Sequence, residues 1–394
     1  MTKSAQVRKI RVASIVGARP QFIKAGMISR AIQFHNKQHG PFKIDEVLIH
    51  SGQHYDDNLS RVFFQQMEIP CPSYNLGVGS GSHARMTARM LIKMEKTLMQ
   101  EKPDFVFVYG DTNTTLAGAF AAAKIPLPIA HIEAGLRSFD RDMPEEINRV
   151  LTDHLSCLLL CPTKTAVDNL KKEGLTRGVF NVGDVMYDAF LVYRDKALQN
   201  SDIMSRLDLK PAGFCLATVH RQENTNDPER LKKIFQSFNQ LAEKSLPIII
   251  PIHPRTKERL TKHKLKLNSN LRLISPVRYF DMLALECNAR IILTDSGGVQ
   301  KEAFFAGIPC VVLRDGTEWV ETVDSGRNCL GGAEVDTIIE AFRSAEAERP
   351  EAKAYPSRLF GHGRASHEII RRLVVSAPFD VKSWRPYVRH RRSR

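Results

Sequence analysis

Short apolar runs alternate with longer amphipathic segments along the chain, in two series. The first series is IRVASIVG (10–17), EVLIHSG (46–52), DFVFVYGD (104–111), PIAHIEAG (128–135), CLLLCPT (157–163) and VFNVGD (179–184). The second is GFCLATVH (213–220), LPIIIPIH (246–253), LRLISP (271–276), ARIILTDSGG (289–298) and PCVVLRDGTE (309–318). Segments with helical spacing lie between them, such as 83–102 with Met86, Met90 and Leu91 on one face. Short buried runs alternating with helices predict parallel strands covered on both faces. Two series predict two doubly wound α/β domains. The rhythm breaks near 185–212, which sets domains at 1–188 and 189–375, followed by a basic tail at 376–394. A last helix is expected at about 364–375, and GVGSGS (77–82), which follows no strand, reads as a loop rather than a phosphate cradle.

Composition changes this picture little. A chain of 394 residues with 43% hydrophobic and 25% charged residues is long enough for two globular cores. Its net charge is +14, but residues 381–394 carry six positive residues and no acid, leaving +8 on the rest. The basic excess is thus partly local, and no nucleic-acid-binding motif accompanies it, so no nucleic-acid partner is expected. No run approaches the roughly 20 apolar residues of a membrane span, so no stable membrane insertion is expected. The apolar run near the N-terminus is short and reads as a first strand, not a signal peptide. Seven cysteines, several inside apolar runs, read as reduced core thiols of a cytoplasmic protein. No CxxC or HExxH pair suggests a metal site.

The chemistry gathers where the apolar runs end, which is where open α/β sheets bind ligands. The first run ends at Gly17-Ala18-Arg19-Pro20, with Lys24 a turn later; the third ends at Asp111 and the fourth at Glu133. The second half offers His220, then Ser296-Gly297-Gly298, then Arg314 to Glu318. So many polar ends suggest one charged ligand in a cleft between the two domains. Arg19, Lys24 and the backbone N–H groups after Ser296 suit a diphosphate, because a helix N-terminus supplies free donors and glycine lets an anion approach. Asp111, Glu133 and Glu145 do not suit a phosphate; in a cleft, carboxylates are candidates for proton transfer. Taken singly, Asp111 or Glu145 also reads as a helix cap or surface ion pair, and His220 as a structural histidine. Glu302, about one turn past the glycines, suits the two hydroxyls of a ribose, or else is a solvated helix charge.

Together these segments resemble the non-hydrolysing UDP-N-acetylglucosamine 2-epimerase family. The matching stretches are GARPQFIKA (17–25), SGQHYD (51–56), YGDTNTTLAGA (109–119), HIEAGLRS (131–138), PEEINR (144–149), NVGDVMYD (181–188), HRQEN (220–224), IHPRT (252–256) and TDSGGVQKEA (294–303). The resemblance implies a GT-B-like fold of two Rossmann-like domains, usually as a homodimer. It places catalytic roles on Asp111, Glu133, Glu145 and His220, and phosphate contacts on Arg19, Ser296 and Gly297, with Gly298 beside them. It also places Lys24 and Arg149 in the site, the ribose on Glu302, and the uracil near Pro276 to Phe280.

The implied reaction inverts C2 of a UDP-2-acetamido sugar for cell-surface polysaccharide precursors. The C2 proton is not adjacent to a carbonyl, so UDP is eliminated across C1–C2 and added back, with no cofactor and no metal. Two features depart from the best-known members. Trp319-Val320 stand where those have Arg-Pro, and Gln53-His54 are followed by Tyr55-Asp56, which bears on regulation by substrate. The GARPQFIKA and TEWVE forms look more like the subgroup acting on UDP-2,3-diacetamido-2,3-dideoxyglucuronate, an O-antigen precursor. That substrate and UDP-N-acetylglucosamine both stay open, with a hydrolysing 2-epimerase, a GT-B glycosyltransferase and a non-catalytic sugar-nucleotide binder as rival readings.

Overall fold

Each of the eleven apolar runs becomes a parallel strand. The computed structural model describes residues 8–38, 40–52, 67–244, 246–263, 265–347 and 358–376. Gln53, His54, Tyr55 and Asp56, and the tail beyond 376, lie outside the described residues. The chain divides into two compact units, Met1–Ala189 with Ser357–Arg394, and Phe190–Pro356.

The first unit holds β1 (Arg8–Val16), β2 (Phe42–His50), β3 (Tyr74–Asn75), β4 (Phe105–Tyr109), β5 (Ile129–Ile132), β6 (Leu158–Cys161) and β7 (Val179–Asn181). Their order in the sheet is β3-β2-β1-β4-β5-β6-β7. The second unit holds β8 (Cys215–Thr218), β9 (Ile248–Pro251), β10 (Leu271–Ile274), β11 (Ile292–Thr294), β12 (Cys310–Val312) and β13 (Asn328–Leu330), in the order β10-β9-β8-β11-β12-β13. Both are doubly wound Rossmann-like sheets, the GT-B-like class expected for each half. The two strands not foreseen, β3 and β13, are short edge strands, which need no long apolar run because only one side of each is paired.

Alternation along the strands covers both faces of each sheet. In the second unit Ile248 and Ile250 turn to a core with Phe235 and Phe238, while Ile249 turns to the opposite core with Phe214 and Val312. In the first, Ile15, Val106 and Val108 pack against Met90, Met94 and Leu98 of the helix His83–Glu101. Each such side chain contributes about 1.5–3 kcal/mol by leaving water.

One boundary differs from the sequence expectation, which assigned residues up to 375 to the second domain. The last helix, Ala365–Ser376, belongs to the first unit and packs on the helix Arg19–Lys37. The reason is a local cap: Asp188 accepts from the backbone N of Ala365 (3.0 Å) and of Ser366 (2.7 Å), and from the Ser366 hydroxyl. A buried carboxylate at a helix N-terminus satisfies donors that are otherwise orphaned. Ile369, Ile370 and Leu373 then bury the helix's apolar face.

Candidate active site

In the first unit, β1 lies between β2 and β4, so the strand order reverses at the ends of β1 and β4, where α/β sheets bind ligands. β1 runs into Gly17, where a Cβ would stand 2.2 Å from Thr114 Oγ1 and 2.4 Å from Ser51 Oγ. Only glycine fits that approach. The helix Arg19–Lys37 begins two residues later with Pro20 in its first turn, a position suited to proline's fixed φ. Gln21 locks this turn to the end of β4. Its Oε1 accepts from Gly17 N (2.8 Å) and Ala18 N (3.0 Å), and its Nε2 donates to the Tyr109 carbonyl (2.7 Å). Arg19 is exposed at the helix start, and among the described residues no carboxylate pairs with it. A free guanidinium at a helix N-terminus is a ready anion contact.

β4 is followed by Gly110, whose φ is +62°, and then Asp111. Arg149 donates to Asp111 Oδ2 from Nη2 (2.7 Å) and Nε (3.1 Å), and to Glu146 Oε2 from Nη1 (2.7 Å). Glu146 also accepts from the backbone N of Ser138 (2.9 Å) and Phe139 (3.0 Å). Of the two neighbouring glutamates, Glu146 therefore joins this network, while Glu145 is half-exposed in the first turn of the helix Pro144–Leu155. At the end of β5, Glu133 takes a left-handed φ of +75° and its buried carboxylate pairs with the buried ammonium of Lys24. A Cβ on Gly110 would stand 3.1 Å from Glu133 Oε2 and 3.4 Å from Lys24 Nζ. The pair thus occupies the space that Gly110's missing side chain leaves, beside Asp111. A narrow recess next to it is lined by Ile132, Leu160, Val182, Asp184 and Ile369.

In the second unit the reversal lies between β8 and β11. His220 follows β8 with its ring half-exposed, its Nδ1 3.6 Å from Asp295 Oδ1. The buried carboxylate of Asp295 accepts from His220 N (3.0 Å), Arg221 N (2.9 Å) and Asn224 Nδ2 (3.2 Å), so it shapes the His220 loop through the backbone. Ser296 caps the helix Gly297–Ala306, its side chain accepting from Val299 N. The two glycines divide their work. A Cβ on Gly297 would stand 2.7 Å from Glu318 Oε1 and 3.2 Å from Trp319 Nε1, so its missing side chain makes room for the protein itself. At Gly298 the nearest atom is Ser296 Oγ at 3.8 Å, so the missing side chain there leaves open space. The packing of Glu318 and Trp319 thus accounts for the missing side chain at Gly297, while the backbone N–H groups of both glycines lie in the first turn of the helix. Arg314 holds Glu318 through Nη1 (2.8 Å), and Lys301 Nζ lies 3.7 Å from the Trp319 ring centroid, a cation–π distance.

Glu302 is buried rather than solvated, and its Oε1 accepts from the Tyr279 hydroxyl at 2.9 Å. Burial, then the charge of Glu302, pushes the Tyr279 phenol well above its ordinary range, so it stays a donor. Phe280 is buried beside it, its ring 6.0 Å from that of Tyr193.

The profile of the UDP-N-acetylglucosamine 2-epimerase family matches residues 36–374. The chain belongs to this family. It is 50% identical over 366 residues to a UDP-N-acetylglucosamine 2-epimerase homologue of Methanococcus maripaludis, covering 92% of this chain and 98% of that one. It is 47% identical over 363 residues to UDP-2,3-diacetamido-2,3-dideoxy-D-glucuronate 2-epimerase of Pseudomonas aeruginosa, covering 91% and 98%. The crystal structure of Methanocaldococcus jannaschii UDP-GlcNAc 2-epimerase in complex with UDP-GlcNAc and UDP superposes with a TM-score of 0.84 at 43% identity, covering 93% and 99%.

Within this family member, the sequence reading missed Gln21, Glu146 and Asp295. Gln21 and Glu146 sit inside the matching stretches, but a polar residue one turn into a helix carries no sign of what it meets. Asp295 adjoins the glycines and reads as part of a turn; only the packing of β8 beside β11 shows that it builds the His220 loop. Among the described residues, no helix is long and apolar enough to cross a membrane.

Proposed function

We propose that this chain inverts C2 of a UDP-2-acetamido sugar by eliminating UDP across C1–C2 and adding it back. The observation that carries this is the pair of differently held carboxylates around Gly110. Glu133 is buried against Lys24, and Asp111, about a third exposed, is held by Arg149. Removing a proton and returning it on the other face needs two such groups in unlike environments. Glu145 is the third candidate for proton transfer, and His220 acts as acid or base from its half-exposed position. Arg19, Ser296, Gly297 and Gly298 take the diphosphate, whose charge grows as it leaves. Glu302 takes the ribose, with its carboxylate steadied by Tyr279, and Phe280 borders the uracil.

The sugar is UDP-N-acetylglucosamine or UDP-2,3-diacetamido-2,3-dideoxyglucuronate, and the Pseudomonas relative's activity supports the second. The product feeds cell-surface polysaccharide synthesis in the cytoplasm. The active form is a homodimer: the neighbouring helices His83–Glu101, Asn113–Lys124 and Pro144–Leu155 leave Ile92, Met99, Phe120, Ile147 and Leu151 exposed. The test is incubation of each UDP-sugar with the protein in D2O, followed by NMR. Deuterium at C2 of intact UDP-sugar supports epimerisation. Free sugar with UDP means hydrolysis, and no exchange with either sugar overturns the reading.

A further inference from the structure

Behind Gly110 lies a buried histidine that the proposed reaction does not use directly. His131, in β5, is fully buried and bonded at both ring nitrogens: Nδ1 to Asp153 Oδ1 at 2.7 Å and Nε2 to the Gly110 carbonyl at 2.8 Å. A carbonyl only accepts, so Nε2 carries a hydrogen. Asp153 Oδ2 is already filled by donors, Gly135 N at 3.1 Å and Arg137 Nη1 at 2.7 Å. Its Oδ1 then faces Nδ1, and an ionised carboxylate also only accepts. Both ring nitrogens must donate.

The charges agree with this. Arg137 is shared between Asp153 and Glu173, to which it donates from Nε (2.7 Å) and Nη2 (2.8 Å). Asp153 is fully buried whereas Glu173 reaches solvent, so a guanidinium shared with Glu173 only partly offsets the buried Asp153 charge, and an imidazolium completes the balance. The remaining groups around the cluster are the buried thiol of Cys161 and the half-exposed His154, 3.3 Å from Glu173. Burial opposes ionisation of Asp153, but His131 and Arg137 outweigh it and hold its carboxyl below the usual range.

We infer that His131 is a buried imidazolium that positions Asp111 and Glu133, through the Gly110 carbonyl on one side and its own strand on the other. The Gly110 carbonyl is turned inward by the ring, which sets the peptide leading into Asp111. Gly110 N donates to the Ile132 carbonyl at 3.0 Å, so the same residue ties β4 to the strand end that carries Glu133. Without the ring, the Gly110 carbonyl and Asp153 each lose a buried donor, and the turn between the two carboxylates is free to shift. The roles given to Asp111 and Glu133 rest on the proposed function; the charge on His131 does not.

The experiment uses the full chain labelled with 15N-histidine, with the His131 ring assigned through bonds from its backbone. At pH 7.5 His131 shows two slowly exchanging ring N–H protons and two imidazolium-type nitrogens; one protonated nitrogen overturns the inference. In parallel, His131→Gln is assayed for C2 exchange and UDP binding. The expected result is a kcat lowered by about 10- to 100-fold, the scale of a small misplacement of reacting groups, with UDP affinity within about threefold. A folded variant with unchanged kcat also overturns it. If His131→Gln does not fold, His131→Asn takes its place, and the ring spectrum of the unaltered protein decides in either case. Failure of the unaltered protein to exchange C2 with any UDP-sugar counts against the proposed function and leaves the ring spectrum to decide this inference.

Discussion

Arg149 Nη2 lies 2.7 Å from Asp111 Oδ2, and the same guanidinium donates from Nη1 to Glu146. One cation therefore orients a partly exposed carboxylate while neutralising a buried one. Arg149 is 1% exposed, so its removal leaves Glu146 as an uncompensated buried charge. Arg149→Met is expected to lose about 3–5 kcal/mol of stability, read by denaturant unfolding, and to lose C2 exchange. Arg149→Lys restores the charge but not the two-sided geometry. It recovers part of the stability and little of the activity; recovery of both would mean that Asp111 needs only a nearby charge.

Gly110 is the point at which backbone and site meet. Its φ of +62° costs an L-residue strain, and the added methyl meets Glu133 Oε2 at 3.1 Å. Gly110→Ala is expected to destabilise by about 1–2 kcal/mol, a fall in thermal midpoint. Because the methyl presses on the Lys24–Glu133 pair, kcat falls by more than this loss of stability explains at a temperature where the variant is fully folded. A kcat equal to the parent's would show that the pair tolerates displacement.

Asp295 serves three donors in the His220 loop. Asp295→Ala leaves two part-buried backbone amides unmatched, at about 1–3 kcal/mol for each at most, while Asn224 Nδ2 keeps its bond to the Leu313 carbonyl. Asp295→Asn keeps one acceptor oxygen and is expected to retain most of the stability. Both variants lower the rate of C2 exchange, and their order, Ala below Asn, should match the order of unfolding midpoints.

Glu286 gives a pH dependence of known sign. Its carboxyl is fully buried, neither oxygen has a hydrogen-bond partner among the described residues, and burial followed by the charge of Glu302 raises it well above its ordinary value. The native state then holds a proton that the unfolded chain releases near pH 4.5, so stability falls as pH rises from there toward the raised value. Glu286→Gln removes that slope. Its unfolding midpoint, measured against the parent's, should rise from pH 5 to pH 8; a constant difference would mean that Glu286 ionises without cost.

The order of apolar runs was enough to determine the two doubly wound sheets, because strands covered on both faces must be continuously apolar and their ends must be polar. The same logic set Asp111, Glu133, His220 and Ser296 at strand ends, since each follows a strand within two residues. Periodicity does not record which groups meet across the sheet. Only the packing of β5 beside β4 set His131 against Gly110, only the turn of the helix Pro144–Leu155 chose Glu146 over Glu145 as Arg149's partner, and only the approach of Glu318 and Trp319 separated the task of Gly297 from that of Gly298. The last helix returned to the first unit because Asp188 caps it, a contact between residues 178 positions apart that no local pattern carries. Local chemistry is written in neighbours along the chain; pairing of charges and exclusion of side chains depend on neighbours in space.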